Sequence, residues 1–142
     1  MKFYNRYDSV DEPAVFTFWS FMHILAGIIL YVLCMFLLRT VKVLDSAGTA
    51  ILLASVIHLL YELRDFYLSY VSERLTGADS NSWINSVFDQ LCATVGMLIA
   101  WQIFGEDLSP KDIFYVTVSY ITTYLVVKTI NYERDVTKES GN

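Results

Sequence analysis

Apolar residues fall in long blocks along the 142-residue chain, and the blocks set the elements. A helix crossing about 30 Å of hydrocarbon needs about 20 mostly apolar residues. Residues 14–38 meet this without a single Asp, Glu, Lys or Arg; Thr17, Ser20 and His23 are their clearly polar groups. A second block covers 47–71, apolar through AGTAILLASVIHLLY and then carrying Glu62, Arg64 and Asp65. A third covers 82–104, with Asp89 as its one acid. A fourth covers 112–130 and is rich in Val, Thr and Tyr, residue types that also suit strands. Its helical start is marked by Ser109 as a cap, Pro110 in the first turn and Asp112 completing a capping box. The pattern predicts an all-α integral membrane bundle of four transmembrane helices over 14–130. A polar segment, 1–13, precedes it, and a polar tail, 131–142, follows and should fray.

Composition narrows the class. Hydrophobic residues make up 55% and charged residues 18%, with a mean hydropathy of +0.44. A soluble domain is nearer one half apolar and one quarter charged, and a disordered chain needs far fewer apolar residues. Net charge is −5, and the Lys and Arg are scattered singly, so the chain has no basic footprint for nucleic acid; the membrane itself is its partner. Cys34 and Cys92 lie in apolar runs without a basic neighbour, which suggests neither a disulfide framework nor a nucleophile. There is no GxSxG, HExxH or Walker loop. Asp8, Asp11, Glu12 and the length of the first apolar block argue against a secretory signal. Four spans place both termini on one side. That side carries Lys2, Arg6, Arg74, Lys128, Arg134 and Lys138 against Arg39, Lys42 and Lys111, so the termini are expected to be cytoplasmic.

Residues three, four and seven apart share a helix face. In the second span His58, Tyr61, Glu62 and Asp65 fall within an arc of about 100°. In the third, Asn85, Ser86, Asp89, Ala93, Gly96 and Ala100 form one small-and-polar stripe, backed by Trp83, Val87, Leu91 and Leu98. In the first, Ser20, His23, Gly27 and Cys34 share a side. Gly27, Ala93, Gly96 and Ala100 read as packing positions, because small residues let helix backbones approach in lipid. Such stripes suit contacts within one chain as well as between chains, so a homo-oligomer is compatible with the pattern but not indicated.

Depth sharpens this reading. Counted inward from the terminal side at 1.5 Å per residue, His23, Glu62, Asp65 and Asp89 all sit about 9–14 Å in, although the three helices alternate in direction. A charge facing hydrocarbon costs at least about 2.5 kcal/mol. The economical arrangement turns the three stripes toward one another around an inward pocket. The ligand-binding candidates are His23, His58, Tyr61, Glu62, Asp65, Asn85 and Asp89. His58, Glu62, Asp65 and Asp89 are also candidates to ligate a divalent metal, with His58 and Glu62 spaced to reach one ion. Three uses stay open: binding or acting on a polar lipid or lipid-linked group, a structural or assembly role in which the acids pin the helices, and an ion or proton pathway.

At these residues the chain resembles small bacterial membrane proteins of the YjdF-like group. The matching strings are His23-x3-Gly27, Glu62-x2-Asp65-Phe66 and Asn85-x3-Asp89-x6-Gly96, in the group's order. Asn85 stands where that group has an acid. The broader VanZ-like group is similar in outline, although Trp19-Ser20-Phe21-Met22 replaces its Asp-Lys before the His. The resemblance implies a multi-pass membrane protein with an intramembrane polar site and supplies no reaction.

Overall fold

The computed structural model describes residues 2–4, 14–16, 18–44, 46–76 and 83–139; side-chain environments are described at 16, 19–44, 46–68, 70–71 and 83–129. Among the described residues the regular structure is helical apart from one short ribbon. Strands β1 (Lys2–Tyr4) and β2 (Ala14–Phe16) pair in parallel, with Lys2 opposite Ala14 and Tyr4 opposite Phe16. Four helices follow: α1 (Phe18–Val41), α2 (Ala47–Thr76), α3 (Trp83–Phe104) and α4 (Pro110–Glu139). The ribbon takes up residues 14–16, which the apolar pattern assigns to the first span. Val15 and Phe16 are β-branched and aromatic types that fit a strand as readily as a helix. Phe16 meets Phe21 edge-on, ring centroids 5.1 Å apart, so the entry to α1 is held by aromatic contact.

Three of the helices are long and apolar enough to cross a membrane: Trp19–Val41, Ala47–Leu68 and Trp83–Phe104. Among the described residues α4 does not qualify. Its described side chains end at residue 129, and within 110–129 Lys111, Asp112 and Lys128 bracket a stretch diluted by Ser, Thr and Tyr. It also continues helically through 131–139, where the sequence reading has a fraying tail; Glu133, Arg134 and Lys138 are good helix formers. Large apolar side chains point outward on the three apolar helices, among them Phe21, Leu37, Leu52, Leu60, Leu91 and Leu98. In water such a surface would be an aggregation liability; against acyl chains it is the expected exterior.

The helices run alternately, and the interior divides in two. One half is an apolar core of Tyr31, Val32, Cys34, Met35 and Leu38 from α1, small Ala47, Ala50 and Ala54 from α2, and Ala93, Met97 and Ala100 from α3. The other half, nearer the start of α1, is polar. The principal contact is α1 on α3. A Cβ built on Gly27 would strike the Ala93 carbonyl, and one built on Gly96 would strike the Ile24 carbonyl, so the two backbones touch where the glycines lie.

The connections at the opposite end are tied down. Tyr31 Oη donates to the Gly105 carbonyl at 2.6 Å, Arg39 reaches Asp107 at 3.0 Å, and the Ala47 amide donates to Glu106 Oε1 at 3.0 Å. Gly105, at φ +59°, ends α3 in the left-handed region, its amide returning to the Trp101 carbonyl. The start of α4 is the capping box read from the sequence. The Asp112 amide donates to Ser109 Oγ, and the Ser109 amide donates to Asp112 Oδ2.

Candidate functional site

The three stripes meet. Close backbone approach at Gly27 and Gly96 brings the first two turns of α1 onto those of α3, and there Asp89 becomes the hub. Ser20 Oγ donates to Asp89 Oδ1 at 2.8 Å, and Asn85 Nδ2, one turn back on α3, donates to Asp89 Oδ2 at 2.6 Å. His23 Nε2 faces the same Oδ2 at 3.4 Å. Asp89 is 2% exposed. A carboxylate this deep is tolerable because donors are directed at both of its oxygens.

The second carboxylate comes from α2. Glu62 is 4% exposed, and its Oε1 lies 3.2 Å from His23 Nδ1 and 3.7 Å from His58 Nε2. His58, one turn earlier on the same face and 2% exposed, stands edge to face against His23 with ring centroids 5.1 Å apart. His23 Nδ1 and His58 Nε2 are 3.0 Å from each other. The far nitrogen of His58, Nδ1, is 2.9 Å from Gln90 Oε1. Ser86 is hydrogen-bonded to the Glu62 carboxyl. Even so, Glu62 Oε1 is a buried acceptor that receives no hydrogen bond among the described residues.

Of the seven binding candidates, five form this buried cluster: His23, His58, Glu62, Asn85 and Asp89. The other two stand at its edge. Tyr61 is half exposed, its ring 6.2 Å from that of His58. Asp65 shares the His58 face but lies seven residues along α2, about 10 Å nearer the terminal side. There it pairs with exposed Arg64 at 3.1 Å and is hydrogen-bonded with Tyr61, while its charge still acts on His23 and Glu62. As a metal ligand alongside His58 it is therefore displaced. Asp89 likewise reaches the group through the outer nitrogen of His23. The packing candidates Gly27, Ala93, Gly96 and Ala100 are all buried, the first three at the α1–α3 contact and Ala100 in the apolar core.

Ser20, Ser86 and Gln90 complete the site, and the sequence reading left all three out of the binding set. Ser20 is on the His23 side of its helix and could have been included on that ground. Gln90 had a signal of its own: with Ser86 and Thr94 it repeats every four residues, a second polar stripe beside that of Asp89.

Two apolar cavities flank the cluster on opposite sides of α2. One, of about 360 Å³, lies among α1, α2 and α4, with His23 and His58 in its wall beside Ala26, Leu30, Ile57 and Tyr124. The other, of about 370 Å³, lies between α2 and α3, with Glu62, Ser86 and Gln90 in its wall beside Leu59, Phe66 and Leu91. Chemically the arrangement offers two imidazoles and two carboxylates, three of the four groups in the walls of these apolar cavities. No protein-family model, curated protein or solved structure matches the chain.

Proposed function

We propose that this chain is a multi-pass membrane protein that binds, and in the enzymatic case acts on, the polar head of a lipid or lipid-linked group. One observation carries the reading: a buried His/carboxylate cluster stands between two apolar cavities, each of a size that takes a small ligand. A head group hydrogen-bonds the cluster while its chain lies in a groove. In this reading α4 is a fourth crossing that closes the first cavity with Tyr120 and Tyr124, and both termini face the cytoplasm, as the Lys and Arg distribution favours. Kinship with the YjdF-like and VanZ-like groups belongs to the same proposal and rests on the ordered strings at His23, Glu62 and Asp89.

The test is photolabelling in nanodiscs with diazirine-tailed phosphatidic acid and diacylglycerol. Labels should concentrate at Leu30, Ile57 and Tyr124, ahead of outward-facing Leu52 and Leu98, and Ala26→Trp should abolish that preference. Equal labelling of Leu98 and Ile57 refutes the reading.

A second reading has its own support. The Ser20 and Asn85 bonds to Asp89 tie α1 and α3 together, as a purely structural cluster would. It predicts that Asp89→Leu lowers thermal stability in detergent and leaves the labelling pattern of the folded fraction unchanged.

A further inference from the structure

We infer that His23, His58 and Glu62 form a three-ligand site for a divalent cation of the zinc class. The inference concerns the cluster described above but stands whether or not an amphiphile binds there. Geometry comes first. His23 Nδ1, His58 Nε2 and Glu62 Oε1 are separated by 3.0, 3.2 and 3.7 Å. Zinc holds imidazole nitrogen and carboxylate oxygen at about 2.0–2.1 Å, so two ligands of a tetrahedral ion lie about 3.3 Å apart. The three observed edges straddle that length. The ligands come from two helices, His23 from α1 and His58 and Glu62 one turn apart on α2, and an ion at the centre of the face they define lies within bonding reach of all three.

Proton placement points the same way. Gln90 Oε1 can only accept, so the proton of a neutral His58 sits on Nδ1 and leaves Nε2 bare. Without an ion, His23 Nδ1 and His58 Nε2 share a hydrogen bond at 3.0 Å; once a cation takes the proton's place, His23 keeps its proton on Nε2, which faces the acceptor Asp89 Oδ2 at 3.4 Å. Glu62 Oε1 is the buried acceptor that receives no hydrogen bond. The cation displaces the one proton between the two rings, and the lone pairs of His23 Nδ1, His58 Nε2 and Glu62 Oε1 then face it together. Metal-ligating histidines characteristically donate their second N–H to a carboxylate or carbonyl oxygen, which fixes the tautomer and the ring orientation. Asp89 and Gln90 hold those outer positions, and Ser86 holds the Glu62 carboxyl.

Charge closes the argument. A dication beside the Glu62 and Asp89 carboxylates makes the group neutral, as a cluster buried among hydrocarbon-facing helices requires. The set supplies two nitrogens and one oxygen, leaving a fourth position for water or a ligand head. That is the pattern of an open site and differs from the closed four-ligand shell of a structural one. The rival arrangement is a doubly protonated His23 lying between the two acids, which needs no ion.

Metal retention separates the two. The full chain, purified without a polyhistidine tag, is delipidated, stripped with chelator, loaded with Zn²⁺ alone or Co²⁺ alone, and freed of excess ion. One ion per chain should remain by elemental analysis, and the Co²⁺ form should show the intense visible absorption of a tetrahedral nitrogen/oxygen site. His58→Ala and Glu62→Gln should each abolish retention, Gln90→Leu should weaken affinity about 10- to 100-fold, and Asp65→Asn should match the native chain. Failure of the native chain to retain an ion, a weak octahedral Co²⁺ spectrum, or full retention by folded His58→Ala overturns the inference. The first two readouts use the native chain alone, so a variant that misfolds leaves the question answerable. Metal retained by delipidated protein supports the site even if lipid photolabelling fails.

Discussion

Replacing Gly96 with Ala tests the reasoning that joins the packing to the site. The added methyl would strike the Ile24 carbonyl oxygen, a backbone atom that cannot rotate away, so α1 and α3 must separate. Overpacking of this kind costs about 1–3 kcal/mol. Separation also lengthens the Ser20–Asp89 bond, now 2.8 Å, and a hydrogen bond to a charged group contributes about 1.5–3 kcal/mol. The two terms together predict a loss of about 2.5–6 kcal/mol. Gly27→Ala should behave alike, since its methyl meets the Ala93 carbonyl from the other side of the same contact. The double variant should lose less than the sum, because one displacement relieves both clashes. Gly48 is the control: a Cβ there meets nothing, and because Gly48 is the second residue of α2, Ala there should change stability by less than the ~1 kcal/mol of a helix interior. Unfolding in mixed micelles with increasing dodecyl sulfate, followed by far-UV circular dichroism, gives the free energy of each of the four variants against the native chain. If Gly96→Ala unfolds within about 0.5 kcal/mol of the native chain, the glycines are not what sets the α1–α3 distance, and the account of how Asp89 meets Ser20 fails with it.

Other substitutions follow from single contacts. Tyr31→Phe removes the donor to the Gly105 carbonyl and should cost about 0.5–1.5 kcal/mol in the same denaturation experiment, with helix content unchanged. Ser109→Ala opens the capping box of α4 and should cost about 1 kcal/mol, seen as faster amide exchange at Asp112 and Ile113 and not in α1–α3. Arg39→Ala breaks a pair whose Asp107 partner is 97% exposed, and thermal stability should stay within about 0.5 kcal/mol of the native value.

Which parts of this were legible in the sequence follows from the physics of each signal. The helix number and the three spanning segments could be read because a membrane demands about 20 apolar residues in a row, a constraint that needs no partner. The meeting of His23, Glu62 and Asp89 could be anticipated from depth, since acids at one level in alternating helices have few places to go other than toward each other. The β1–β2 ribbon could not, because three-residue strands leave no period to count. The fourth helix is ambiguous for a related reason: Thr, Tyr and Val score between strand and helix, and between membrane and surface. Asp65 shows the limit of face arithmetic. It lies within the arc of His58, yet two helical turns along the axis keep it out of the group of ligand atoms that His23, His58 and Glu62 form. Gln90 is uncharged, so the depth argument that picks out the acids gives no signal for it, although its Oε1 stands 2.9 Å from His58 Nδ1.

The amide at the start of α2 has a consequence for biogenesis. No acid lies in that helix's first turn, and its leading amide is held by Glu106, a residue 59 positions later in the chain. As the polypeptide leaves the ribosome, the second hairpin arm enters the bilayer before the group that seats its leading end has been synthesised. Final docking of that arm therefore waits until the third is threaded, and premature termination anywhere before Glu106 leaves a half-made protein whose second helix lacks its anchor.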